Sequence, residues 1–186
     1  MKPILAYAKL NARIMPLDRG ERFEDPLDEA LSQNGFAKIT GGGTAQTEEG
    51  EIDYCGIDID LFDVKKGIPF ICEFLTQLGA PRGSTLEYES KGEKVEVPFG
   101  TTEGLAIYLN GTDLPDEVYT NCDVNVVYDT INQLLGERGA ILNHWVGPTE
   151  TALYLYGHSG KEMRELISEF MAEYPLCQQA RIVTIA

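Results

Sequence analysis

The sequence predicts an α+β protein of tandem duplicated βαββαβ units, ferredoxin-like in arrangement, whose antiparallel sheets each carry two helices on one face. Three observations predict it. Four segments repeat apolar residues with the helical period, and the strand-like runs between them give the order strand, helix, strand, strand, helix, strand, twice over. An offset of 96 positions then lays Ile57–Glu89 on Leu153–Ile185 without a gap.

In the first half, Ile4–Leu10 reads as a strand. Residues 26–34 place Leu27, Ala30 and Leu31 on one helical face, behind Asp25 as cap and Pro26 in the first turn. Ala37–Thr40 and Ile52–Phe62 are the next strands. The second helix, residues 66–79, carries Ile68, Ile71, Cys72, Leu75 and Leu78 and stops at Gly79 and Pro81. Thr85–Glu89 completes the unit, and an extra hairpin strand, Lys94–Phe99, follows a turn at Lys91 and Gly92.

The second half opens with the strand Leu105–Leu109. Residues 124–138 form a helix after Asp123, with Val127, Ile131, Leu134 and Leu135 on its apolar stripe. The strands Ile141–Val146 and Ala152–Tyr156 form a hairpin about Gly147 and Pro148. The last helix, residues 160–174, begins at Ser159 with Glu162 in capping-box spacing and stops before Pro175. Arg181–Ile185 is the final strand.

In the 96-residue frame Ile59 meets Leu155, Ile71 meets Ile167 and Phe74 meets Phe170, the last two pairs expected in equivalent core positions, while Leu5 and Ala6 match Leu105 and Ala106 under an offset of about 100. The halves are therefore 1–97, with the hairpin, and 103–186. Right-handed βαβ crossovers deliver both helices of a unit to the same side, so each sheet keeps an open face. Internal duplication does within one chain what a homodimer does between chains, and a monomer is expected.

Thirty acidic residues against fifteen basic ones give a net charge of −15, which repels a nucleic-acid backbone and favours a basic protein partner. No apolar run approaches the roughly 20 residues of a membrane span, and the mixed segment Met1–Leu10 does not suit a signal peptide. Cys55, Cys72, Cys122 and Cys177 lie far apart with no CxxC pair, so buried free thiols in a cytoplasmic protein are expected, with no metal site and no cofactor.

Alternation in Ile57–Leu61 points Asp58 and Asp60 to the open face, and their repeat-mates are Tyr154 and Tyr156. One half thus presents an acidic face where the other presents an aromatic one, and both are binding candidates. Gly41, Gly42 and Gly43 lack the GK[ST] ending of a phosphate loop and precede no helix. They read as a strand or bulge, or as the lining of a ligand pocket between the halves. His144 and His158 flank the second hairpin without closing a two-histidine site.

No GxSxG, HExxH or cysteine–histidine context marks a catalytic centre. The leading expectation is a non-catalytic, acidic binding or regulatory protein engaging a basic partner, for example a toxin-neutralising one. Two alternatives stand beside it. One is a small-molecule sensor; the other is a metal-dependent enzyme using Asp58 and Asp60, assisted by Asp53 or Asp63.

Overall fold

Along β1 (Ile4–Leu10), Ala6, Ala8 and Leu10 are buried while Leu5 is 74% exposed, so strict alternation separates a core face from an open one. The computed structural model describes residues 3–186. Strand β1 is central in a five-stranded antiparallel sheet with β2 (Ala37–Gln46), β3 (Ile52–Leu61), β4 (Ser84–Ser90) and β5 (Glu93–Phe99), in the order β2-β3-β1-β4-β5. Ile57, Ile59, Leu61 and Leu86 face the buried side, as do Leu27 and Leu31 of α2 (Asp25–Asn34) and Ile71 and Leu75 of α3 (Val64–Gln77).

The second sheet has the order β7-β8-β6-β9, built from β6 (Glu103–Asn110), β7 (Gly139–Val146), β8 (Glu150–Gly157) and β9 (Arg181–Thr184). Leu105, Ile107, Leu153 and Leu155 pack against Val127, Ile131 and Leu135 of α5 (Val124–Leu135) and Met163 and Ile167 of α6 (Gly160–Glu173). Both sheets follow the ferredoxin-like order in which the first and third strands are central, with β5 added at the edge of the first. The chain is therefore α+β with two similar halves. Its two compact units are residues 1–48 with 52–101, and Glu49–Glu51 with Thr102–Ala186.

Local signals account for most boundaries. Asp63 accepts a hydrogen bond from Lys66 N at 3.1 Å and Ser159 one from Glu162 N at 3.2 Å, so α3 and α6 begin on the same capping device. Lys91 and Gly92 have φ of 57° and 83°, and Ser90 pairs with Glu93, which is a two-residue turn of the primed type matched to strand twist.

Four details depart from the expectations. Ala6 pairs with Ile59 and Leu105 with Leu155, so the first strands align with an offset of 99, and the identity of Leu5 with Leu105 is fortuitous. A one-residue slip exchanges faces, which is why Leu5 is exposed and Leu105 buried. Asp25 does not cap α2: helix precedes it as α1 (Pro16–Arg19) and a π-helical turn, Gly20–Glu24, with buried Phe23 and Arg19. The short helix α4 (Asp116–Asn121) has no fully buried residue, and its six residues are too few to show a helical period. Finally, Phe74 and Phe170 are only half-buried, stacked on Phe70 and Tyr174, while Ile71 and Ile167 are fully buried.

Candidate functional site

Register across the first sheet assembles a lateral row on its open face. Gly41 on β2 lies opposite Asp58, Asp58 opposite Tyr7, Tyr7 opposite Glu87, and Glu87 opposite Glu96 on β5. Three carboxylates and a phenol from four strands thus share one line across the sheet. Asp60 follows two residues along β3, opposite Leu5 and Lys38. A shallow cleft of about 530 Å³ includes Leu5, Tyr7, Asp58, Glu87, Glu89 and Lys94.

Glycines make room for this row. The Tyr7 ring lies over Gly56, in the space that any Cβ there would fill, and a Cβ on Gly41 would sit 3.3 Å from Asp58 Oδ2. Partial burial and the neighbouring Asp58 and Glu87 raise the Tyr7 pKa, so its hydroxyl keeps its proton. Lys94 Nζ lies 2.9 Å from Glu87 and 2.7 Å from Glu96, and its ammonium holds the Glu96 carboxyl below the usual range. Lys9 Nζ lies 4.1 Å from the centre of the Tyr54 ring. Chemically the face offers carboxylates and phenol rings to a cation.

Asp63, a potential helper to Asp58 and Asp60, is occupied as the cap of α3, and Asp53 is exposed. Among the described residues, no group of three or more His, Cys, Asp or Glu side chains converges where it could hold a metal ion. His144 lies opposite Leu153, and the hairpin closes at Pro148 and Thr149.

Tyr154 and Tyr156 lie on the corresponding face of the second sheet, where both are buried in a cluster with Ala106, Tyr108 and Ala152, flanked by Trp145. In that unit Glu51 accepts hydrogen bonds from the Tyr108 hydroxyl at 2.6 Å and the Tyr154 hydroxyl at 2.7 Å. Charged acceptors of this kind make the stronger hydrogen bonds, and here they hold the two rings in place. Arg181 lies 4.5 Å from the Tyr108 ring centre and pairs bidentately with Glu150.

Gly41, Gly42 and Gly43 continue β2 past a bulge at Thr40 rather than forming a loop. Behind them, buried Arg19 donates to Glu24, to the Gly43 carbonyl at 2.8 Å and to Thr44 Oγ1 at 3.0 Å. A Cβ on Gly42 would collide with this pair, so the glycine lets the strand approach it. Cys55, buried alongside, has its pKa pushed up to about 12 by burial, and Cys72 and Cys177 are pushed up to about 11. These thiols stay protonated at neutral pH and are poor nucleophiles.

Tyr7, Glu87 and Arg19 were not singled out by sequence. Period-2 alternation could have placed Tyr7 and Glu87 on open faces, but only strand order brings them beside Asp58. Arg19 gave no signal, because a lone arginine on a four-residue helix reads as surface.

No protein-family model matches the chain, and no curated protein matches it. Among solved structures, the first two RRM domains of a yeast poly(U)-binding protein align at 12% identity, covering 98% of this chain and 99% of that one, with a TM-score of 0.28. A Fusobacterium nucleatum protein with a provisional monooxygenase name aligns at 10% identity over 98% of this chain and 91% of that one, with a TM-score of 0.34. At these scores neither likeness carries an argument about this chain.

Proposed function

We propose that the chain is a non-catalytic, acidic binding protein that engages a basic protein partner through the open face of its first sheet, as a toxin-neutralising or regulatory protein would. The carrying observation is the lateral row of Asp58, Tyr7, Glu87 and Glu96, flanked by Asp60. A lysine or arginine laid along it meets carboxylates on both sides of a phenol ring, a setting that suits cation–π and charge-assisted contacts. The net charge of −15 steers a basic partner from a distance and hastens encounter. The protein acts as a monomer in the cytoplasm, where its four unpaired cysteines suit a reducing environment. No described helix is long and apolar enough to cross a membrane.

Affinity capture from a native lysate of the source cells tests the proposal. A basic protein retained at low salt and released at high salt is the expected result. Capture of no salt-sensitive protein would overturn it, because pairing across exposed charges is screened over about 8–10 Å at ordinary ionic strength.

A further inference from the structure

The geometry points to a second binding site, on the second unit, where the edge of β7 takes an extended, uncharged peptide segment as an added strand. Sheet edges are templates for strand addition unless they are blunted. Strand β5 is blunted by Lys94, Glu96 and Pro98, β2 by Lys38, and β9 by its length of four residues and Arg181. Strand β7 has eight residues, Gly139–Val146, and none is Lys, Arg, Asp, Glu or Pro.

Half of that edge is already occupied. Ile141 N donates to Asn132 Oδ1 at 2.9 Å and Tyr128 donates to the Ile141 carbonyl at 3.4 Å, so α5 caps the edge there. A register shift between Ile141 and Asn143 then reverses the alternation. Gly147 N donates to the Glu150 carbonyl across the hairpin at 2.9 Å, which makes Trp145 face β8 with its backbone groups and leaves those of His144 and Val146 directed to the open edge.

Beside these two residues the first turns of α5 leave a groove over the sheet. Its volume is about 580 Å³, and it is lined by Val124, Tyr128, His144, Val146 and Leu153, with no carboxylate in its wall. Val146 is 70% exposed and Val124 41%. A strand added along His144–Val146 drops every second side chain into this groove, so aliphatic or aromatic residues two apart suit it. The occupant is a short segment rather than a second copy of the chain, because the groove's few residues fall far below the roughly 20–30 per side of a stable interface.

Panning a phage-displayed library of random linear peptides on the full-length protein tests this site. Enriched sequences should carry apolar residues at alternate positions without an excess of Lys and Arg, and synthetic copies should bind equally at low and high salt. That salt independence separates this site from the acidic face, so either can fail alone. Val146→Pro removes an edge-directed N–H without touching the ladder to β8, and Val124→Asp charges the groove; each should weaken binding by about tenfold or more, the effect of losing roughly one hydrogen bond or one apolar contact. Failure to enrich such peptides, or binding that survives Val124→Asp, would overturn the inference. So would light scattering that shows the chain pairing with itself until Val146→Pro is introduced.

Discussion

Burial of single side chains sets several properties that solution measurements read directly. Cys55 is fully buried and holds its proton to about pH 12, against an ordinary value of 9.0. Between those values the unfolded chain has released the proton and the folded chain has not, so stability falls as pH rises through that window. Unfolding in denaturant should show about 3 kcal/mol less stability at pH 12 than at pH 9 from this group alone, and Cys55→Ala should flatten the slope. Ile71→Ala and Ile167→Ala should each cost about 2–5 kcal/mol by transfer and cavity formation, whereas Phe74→Ala and Phe170→Ala, at half-buried ring stacks, should cost less than the isoleucine changes. Gly56→Ala should destabilise through collision with the Tyr7 ring, and most of that loss should vanish in a Tyr7→Ala background when a double-mutant cycle is measured by thermal unfolding.

Caps and registers act at the scale of the element. Removing the Asp63 cap with Asp63→Ala should cost about 1 kcal/mol in thermal unfolding, since the carboxylate accepts the first-turn N–H of Lys66. Element order, the buried faces of β3 and β8 and the starts of α5 and α6 were legible because each rests on short-range periodicity or a cap, whereas α3 starts at Val64 on the Asp63 cap, two residues before the expected 66. Three further features were not. The alignment of β1 with β6 rested on the pair Leu5 and Leu105, two identical residues that the pairing partners Ile59 and Leu155 place one step out of register. The helical run from Pro16 to Glu24 buries only Phe23 and Arg19, too few residues to show a period. The row linking Asp58 to Tyr7 and Glu87 depends on which strands are neighbours, and alternation within one strand carries no such information.

Across the whole molecule, duplication has kept the sheet order and changed the open faces. The same face carries Asp58 in the first unit and buried Tyr154 in the second, so the two sheets present different chemistry on one scaffold. The tyrosine face is consumed in packing and in hydrogen bonds to Glu51, whereas Asp58 and Glu96 on the face of the first sheet are exposed. Net charge alone would attract any basic protein, whereas a partner seated on the lateral row depends on where the charges are. Binding of the basic partner by isothermal titration should therefore be compared for the wild type, for the double variant Asp58→Lys with Glu87→Lys, and for a control of equal charge change, Glu165→Lys with Glu169→Lys on the exposed side of α6. If the lateral row is the contact surface, the first double variant should lose binding by at least about a hundredfold, from two reversed charge contacts, while the control should lose only the modest share due to net charge. Equal losses in the two variants, or full binding by the Asp58 and Glu87 variant, would contradict it.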